Sequence, residues 1–214
     1  IGHKICLTSH TMKLTRKSDA PGFGTQLGSM LFTCTPGEVL EIPASRFIAP
    51  RVEVELAFVL KRDLRGPHVD VEQVLRATDH VTPAIEIIDA RIEQFDRHTK
   101  AMRKVFDTIS DNAANAGIVV GAGRADARAI SRPWVGAILR CNGVVEETGL
   151  AAGVQGDPAI GIAWLANKLA PWGESLQAGQ IVLAGSFTRP VAARVGDVFE
   201  ADYGPLGRMT FKFV

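Results

Sequence analysis

Two glutamates lie two positions apart in an apolar segment of the chain, and this spacing indicates a shared chemical role. Residues 51–58 read RVEVELAF, so Glu53 and Glu55 alternate with apolar side chains. Because successive side chains of a β-strand point to opposite faces, both carboxylates lie on one face. Two carboxylates about 7 Å apart on a half-buried face repel each other and are costly to desolvate. They require protons, arginine partners or a cation, and a divalent metal ion satisfies both at once.

A third glutamate in a similar setting strengthens the prediction of a metal site. In residues 83–89, PAIEIID, Glu86 is flanked by Ile85 and Ile87, which point to the opposite face of a strand. Three carboxylates form a hard oxygen ligand set, which suits Mg²⁺ or Mn²⁺ better than Zn²⁺. The alternative, a pair of acids on the hydrated face of a strand, is common in proteins, and these residues alone leave it open.

The composition is that of a globular domain with a small-molecule ligand. The 214 residues are 46% hydrophobic and 22% charged, enough for one sizeable core, so we expect residues 1–214 to form a single domain. The 24 basic and 23 acidic residues leave a net charge of +1 without a basic stripe. This balance gives no support to a nucleic-acid or membrane partner.

The cysteines and the first residues indicate a cytoplasmic protein. Cys6, Cys34 and Cys141 are odd in number and lack metal-ligand spacing, which is typical of reduced thiols. The chain begins with strand-like sequence and shows neither a signal-peptide pattern nor an apolar run near the roughly 18 residues of a membrane span.

Turn and capping residues divide the chain into many short strands and a few helices. Asn142 and Gly143 separate two apolar runs and predict a type I′ hairpin, because that turn needs positive φ at both residues. Asp157, followed by proline, predicts the start of an amphipathic helix that runs through Leu169. Asp70 is the expected N-cap of a shorter helix.

The remaining pattern favours a β-rich α/β fold. Further strands are expected over residues 181–184, 191–194, 198–203 and 208–214, whereas residues 13–46 are predicted to form long loops around a short apolar piece. We therefore expect a mixed β-sandwich or roll with a few flanking helices.

Longer stretches carry a resemblance that spacing alone does not supply. The chain resembles the hydratase branch of the fumarylacetoacetate hydrolase superfamily over nearly its whole length. The stretches that carry it are IGHKICLTS at 1–9, RFIAPRVEVELAFVL at 46–60, PAIEIIDARI at 83–92, RKVFDTISDNAANAG at 103–117, NGVVEETGLAAGV at 142–154, GDPAIGIAWLANKLAPWG at 156–173, AGQIVLAGSFTRPV at 178–191 and GDVFEADYGPLGRMTFKFV at 196–214. The family's usual amino-terminal helical segment is expected to be missing ahead of Ile1.

The resemblance implies a β roll that holds Mg²⁺ or Mn²⁺ at its open end through Glu53, Glu55 and Glu86. It also places Lys4, in the GHKIC segment, in the active site, where a neutral amine or an ammonium moves protons or stabilises a carboxylate. Without the resemblance, a lone strand lysine is more simply a solvated side chain. Lys104, before the FDT segment, is the second catalytic residue implied.

Substrate contacts are implied at four positions. Arg103 and the turn that contains Ser186 and Thr188 are candidates for holding substrate carboxylates through charge-assisted and backbone hydrogen bonds, and Ile5 lies beside the active-site lysine in the sequence. The simpler interpretations are a surface charge pair at Arg103 and a strand-end turn at the serine and threonine.

The reaction implied is metal-dependent hydration. The expected substrate is a 2-hydroxy-2,4-dienoate or its 2-oxo tautomer, 2-oxo-hept-3-ene-1,7-dioate, converted to a 4-hydroxy-2-oxo acid in the meta-cleavage catabolism of homoprotocatechuate. The dicarboxylate is a small molecule, and homo-oligomerisation is expected from the resemblance.

One position departs from the hydratase pattern. Hydratases of this branch usually read PDFG or PDYG in the loop near the site, but residues 21–24 read PGFG. Gly22 cannot move a proton, so Asp19 or a water on the metal is the candidate substitute. A decarboxylase acting on the same kind of site is the leading alternative, followed by a weakly active partner subunit of a hydratase–decarboxylase complex and by a carbon–carbon hydrolase of acylpyruvates.

Overall fold

Two β-sheets form the framework of the protein. The structure, a computed structural model, describes residues 1–8 and 20–214; Asp19 lies outside them. The strands of the first sheet are β1 (Gly2–Cys6), β2 (Gly22–Gln26), β3 (Leu31–Thr33), β5 (Arg51–Leu60), β6 (Thr78–Ile88), β7 (Asn115–Val120), β10 (Ile181–Ser186) and β11 (Val191–Ala192). Those of the second are β4 (Val39–Ile42), β8 (Gly136–Cys141), β9 (Val144–Leu150), β12 (Val198–Asp202) and β13 (Arg208–Phe213).

Both sheets are mixed. The first has the order β2-β1-β10-β5-β6-β7-β3, with β11 paired to β5, and the second the order β4-β13-β12-β8-β9. The pairs β1–β10, β3–β7 and β4–β13 are parallel, and the other pairs are antiparallel. Within residues 1–8 and 20–214, the α-helices are α1 (Val71–Ala77), α2 (Val105–Ser110) and α3 (Pro158–Leu169). This arrangement confirms the expected β-rich fold with few helices.

The main core joins the two sheets and α3. The β5 side chains predicted to face away from the glutamates, among them Val54 and Phe58, are fully buried in it. From the second sheet it includes Phe199 and Phe211, whose rings stack with their centroids 5.4 Å apart. Since each such side chain contributes about 1.5–3 kcal/mol when it is fully buried, this core fixes which face of β5 is left for the carboxylates.

The opposite face of the first sheet lines the inside of a roll. A smaller buried cluster lies there, formed by Ala57, Ala84, Ile118 and Leu183. The free edge of β2 is held by the side chain of Asn112, in the turn before β7: Asn112 Oδ1 accepts from Thr25 N at 2.8 Å, and Asn112 Nδ2 donates to Thr25 O at 2.9 Å. These bonds bring β2 close to β7, so the sheet curls back on itself.

Most of the predicted elements are present. Asn142 and Gly143 have φ values of 52° and 83°, which confirms the hairpin. The capping of α1 by Asp70 and of α3 by Asp157 is also confirmed. The prediction of long loops over residues 13–46 is wrong in part, because β2, β3 and β4 form there. Among the described residues, no helix combines the length and apolarity needed to cross a membrane.

Candidate metal centre and active site

Strand register brings the three glutamates together. Glu53 of β5 is directly opposite Glu86 of β6, and Glu55 is the next residue of β5 on the same face. One carboxylate oxygen from each residue lies within 4.8 Å of the others. Glu55 and Glu86 are fully buried and Glu53 is half-buried. The predicted cluster of three carboxylates on one face is therefore present.

The electrostatics of this cluster fit a divalent cation. Burial, followed by repulsion from Glu86, raises the pKa of Glu53 to about 8. The pKa of Glu55 is also raised, chiefly by burial and then by the neighbouring Glu86 and Glu53. Glu55 Oε2 accepts a hydrogen bond from Gly185 N at 2.8 Å, but its buried Oε1 atom has no hydrogen-bond partner. Three closely spaced oxygens with an unsatisfied acceptor suit a hard ion such as Mg²⁺ or Mn²⁺.

Lys4 reaches the same cluster from β1. It is only 2% exposed, and its Nζ atom lies 2.7 Å from Glu86 Oε1. Burial lowers the pKa of Lys4, but the negative groups around it, Glu86 first and Cys6 and Glu53 after it, together raise the pKa above its usual value. Lys4 is therefore a buried ammonium rather than a solvated side chain.

A short turn at the end of β10, residues 185–188, holds the segment of β5 that carries two of the glutamates. Gly185 has a φ of +121°, and a Cβ atom there would lie 2.5 Å from Thr8 Oγ1, so this position requires glycine. Thr188 Oγ1 accepts from Val54 N at 3.1 Å, and Ser186 Oγ lies 3.2 Å from Val54 O. The turn is thus brought to the site, with both hydroxyls in contact with the β5 backbone.

Arg103 and Lys104 make contacts within their own segment of the chain. Arg103 Nη1 donates to Ile92 O, and Lys104 is exposed at the start of α2, where its backbone N–H donates to Asp107 Oδ2. Both belong to the connection between β6 and β7.

The side chain of Ile5 is fully buried in the main core beneath α3, so the predicted substrate contact at this position is left to its main chain. Strand alternation turns the side chain away from the face that carries Lys4, so it offers no side-chain contact to a substrate.

Two features of the site were not predicted from the sequence. Tyr203, which is 2% exposed, donates from its hydroxyl to Glu55 O and also contacts Ala84 O, the two carbonyls of a paired position on β5 and β6. In the sequence, Tyr203 follows Phe199 and Ala201 at alternate positions, and this placement on their face of the strand is the signal that could have pointed to its role. Cys6 is opposite Gly22 in the β1–β2 pair, and a Cβ atom at position 22 would lie 3.0 Å from the thiol sulfur. The thiol thus borders the space that a longer side chain at position 22 would enter.

The turn that closes the roll is strained. Asn112, Ala113 and Ala114 have φ values of 50°, 56° and 57°, and the left-handed conformation costs roughly 1–2 kcal/mol for each residue with a side chain. Asn112 holds Thr25, next to Gly24, which is opposite Lys4 in the β1–β2 pair. Strain of this kind is retained where surrounding structure imposes it.

The chain matches one family model over its full length. The model describes the carboxy-terminal region of fumarylacetoacetate (FAA) hydrolase and matches residues 1–214. The chain belongs to the fumarylacetoacetate hydrolase family. Within this family it is 52% identical over 213 residues to a 2-oxo-hept-4-ene-1,7-dioate hydratase of Escherichia coli, an alignment that covers 100% of this chain and 78% of the relative. A 4-oxalocrotonate decarboxylase of Pseudomonas sp. strain CF600 is 34% identical, with 100% of this chain and 77% of the relative covered.

Solved structures place the chain in the same branch of the fumarylacetoacetate hydrolase family. A 4-oxalocrotonate decarboxylase from Pseudomonas putida G7, complexed with magnesium and adipate, superposes with a TM-score of 0.92 at 29% identity and covers 100% of this chain and 78% of that one. A fumarylpyruvate hydrolase from Pseudomonas aeruginosa shares the fold, with a TM-score of 0.74 at 15% identity. The hydratase–decarboxylase branch is therefore confirmed.

Proposed function

We propose that the protein is a divalent-metal-dependent hydratase that adds water to a 2-hydroxy-2,4-dienoate and forms a 4-hydroxy-2-oxo acid. The observation that carries the proposal is the cluster of Glu53, Glu55 and Glu86 with the Lys4 ammonium against it. The identity of 52% to a 2-oxo-hept-4-ene-1,7-dioate hydratase supports hydration as the reaction and a seven-carbon dicarboxylate as the substrate.

The metal in this proposal is Mg²⁺ or Mn²⁺. The three glutamates would hold it, because they offer only oxygen donors and their clustered negative charge needs neutralising. A bound ion of this kind supplies Lewis acidity toward the carboxylate and 2-oxygen of a substrate. The related decarboxylase complexed with magnesium and adipate supports a site in which a divalent ion and a dicarboxylate bind together.

Lys4 is the proposed group for proton transfer. Its ammonium is buried beside Glu86 on the inner face of the roll, where it can deliver a proton to C5 of the dienol. Loss of the 2-hydroxyl proton in the same step gives the 2-oxo-3-ene. One water then adds across C3 and C4, with its hydroxyl on C4 and a proton on C3, so that the net change is the gain of one water. In the metal-free protein, the neighbouring Glu86 raises the pKa of Lys4, which keeps the residue charged.

The far end of the substrate is assigned to the connection between β6 and β7. This connection follows the strand that carries Glu86, and it contains Arg103 and Lys104, whose positive charges suit a second carboxylate. The predicted substrate contacts at Ser186 and Thr188 belong to this proposal. The Thr188 hydroxyl accepts a hydrogen bond from Val54 N, and its own proton can be donated to a substrate carboxylate.

A decarboxylase is the second candidate. It is supported by the TM-score of 0.92 to a 4-oxalocrotonate decarboxylase and by Gly22, which offers no acid group beside the site. We further propose that the protein acts in the cytoplasm, in the breakdown of homoprotocatechuate. In this proposal it forms homo-oligomers and also associates with a decarboxylase. Sedimentation of the purified protein alone and mixed with such a decarboxylase tests the associations.

Turnover with product mass decides between the candidates. The protein is incubated with Mg²⁺ or Mn²⁺ and 2-hydroxyhepta-2,4-diene-1,7-dioate while the dienol absorbance is followed. We expect the gain of one water, lost on addition of EDTA and in Glu55→Gln but kept in Glu38→Gln, which alters an exposed glutamate. An unchanged product mass, or release of CO₂ from the corresponding tricarboxylic substrate, contradicts the hydratase and favours the decarboxylase.

A further inference from the structure

We propose that Thr188 and Ser186 are positioning residues for the metal site, which hold Glu53 and Glu55 at the correct spacing through the main chain of Val54. The inference rests on the metal binding in the proposed function and goes beyond it, because it assigns these hydroxyls a role in the absence of substrate.

The observation behind it is a gap in the sheet. Strand β5 pairs with β10 as far as the pair Glu55–Ser186, and it pairs with β11 from Val52 onward. Val54 lies between these two paired regions, and neither strand supplies main-chain hydrogen-bond partners for its N–H and its carbonyl. Its carbonyl accepts from Phe187 N at 3.1 Å, and its N–H donates to Thr188 Oγ1 at 3.1 Å. A threonine side chain thus replaces a main-chain partner at this point.

Ser186 keeps the turn in the conformation that presents this threonine. Ser186 Oγ lies 2.8 Å from Thr188 O, accepts from Thr188 N at 3.2 Å and lies 3.2 Å from Val54 O. The preceding residue, Gly185, donates its N–H to Glu55 Oε2 at 2.8 Å. One four-residue turn therefore supports both the main chain between the ligands and one of the carboxylates.

The position of this support determines its effect. Glu53 and Glu55 flank Val54, so a displacement of that residue moves both carboxylates relative to Glu86, which is held on the other strand. Metal affinity depends on such supporting contacts, and their loss costs about 10-fold to 100-fold in binding. A residue that contacted only the substrate would leave metal affinity unchanged.

Titration calorimetry of the substrate-free protein with Mn²⁺, repeated with Mg²⁺, tests the proposal. Thr188→Val keeps the shape of the side chain but removes the acceptor of Val54 N–H, and Thr188→Ser keeps the acceptor. Thr78→Val is the matched control, because Thr78 is 3% exposed and its hydroxyl donates to Val74 O at 2.8 Å at the first residue of β6, the opposite end of that strand from Glu86.

We expect Thr188→Val to weaken metal binding by about 10-fold or more, Thr188→Ser to restore it, and Thr78→Val to leave it unchanged. Unchanged metal affinity in Thr188→Val, with a raised KM at saturating metal, would overturn the proposal in favour of a substrate contact alone. If Thr188→Val does not fold, Ser186→Ala is measured against the same two outcomes. Because no substrate is present, failure of the wild-type protein to hydrate the dienol refutes the proposed reaction without altering this result.

Discussion

Lys4 Nζ lies 2.7 Å from Glu86 Oε1, although β10 and β5 separate their strands in the sheet. Neighbouring strands are about 4.8 Å apart, so a flat sheet would keep these two side chains well out of contact. The curl of the roll removes that separation. A cation from β1 and an anion from β6 thereby meet inside a buried site, where their interaction is little screened.

Replacement of Lys4 by methionine should abolish proton transfer while leaving the three metal ligands in place. We expect kcat to fall by about 10²-fold to 10⁴-fold, the usual contribution of a positioned acid or base, with Mn²⁺ still bound in calorimetry. Lys61→Met, at an exposed lysine, serves as the control. Loss of metal binding together with activity would instead assign Lys4 a structural role in holding Glu86.

The metal-free protein should become less stable as the pH rises. The pKa of Glu53 is about 8 in the folded protein, against an ordinary value of 4.5, so the folded state binds its proton more tightly than the unfolded state. Stability therefore decreases between about pH 4.5 and pH 8. The Tm of EDTA-treated protein across this range measures the effect.

Metal binding should remove this dependence on pH. At pH 7 the uptake of Mg²⁺ must displace protons from the glutamates, and calorimetry in buffers of different ionisation enthalpy counts them. A Tm that is flat with pH in EDTA, or metal uptake without proton release, would show that the carboxylates are already ionised.

Gly185→Ala should damage both folding and the metal site. The φ of +121° disfavours any side chain, at a cost of about 1–3 kcal/mol, and the new methyl group would collide with Thr8. Gly196→Ala is a matched control, because its φ is +91° but no atom lies within 4 Å of an added Cβ. We expect both variants to lose free energy of unfolding, and only Gly185→Ala to bind Mn²⁺ more weakly. Equal metal affinity in the two variants would argue against a role of the Gly185 N–H in orienting Glu55.

Asn112→Ala should loosen the wall of the roll beside Lys4. The side chain makes two hydrogen bonds to the main chain of Thr25, each worth about 1 kcal/mol. Asn167 offers a control of the same chemistry, because its amide bonds Val69 N at 2.7 Å and Val69 O at 2.9 Å away from the glutamates. Denaturant unfolding should show a similar loss in both alanine variants, whereas only Asn112→Ala should lower kcat/KM. Equal activity of the two variants would contradict the link between this closure and the site.

Periodicity in the sequence was enough to predict which side chains share a face. The alternation in residues 51–58 places Glu53 and Glu55 on one face of the strand. The same rule places Glu86 on the other face of its strand from Ile85 and Ile87, as the structure confirms. Local turn chemistry was equally informative at Asn142 and Asp157, where one or two residues determine the backbone conformation. These features depend on neighbours in the chain, and so the sequence alone determined them.

Contacts between distant segments depended on the tertiary structure. Strands β2, β3 and β4 have three to five residues and little alternation, and each forms because another strand of the fold offers it an edge. The resemblance implied that Lys4 lies in the site, but only the curl of the sheet shows the ammonium paired with Glu86.

The roles of side chains in the turn at the end of β10 were likewise decided in three dimensions. Thr188 and Ser186 are polar residues suited to a substrate, and nothing local in the sequence shows that both contact the backbone of Val54. Ile5 adjoins Lys4 in the chain but is buried in the opposite core. Short-range geometry in the sequence determines which face of a strand each side chain occupies. The partners of that side chain depend on strand order and register, which only the folded chain determines.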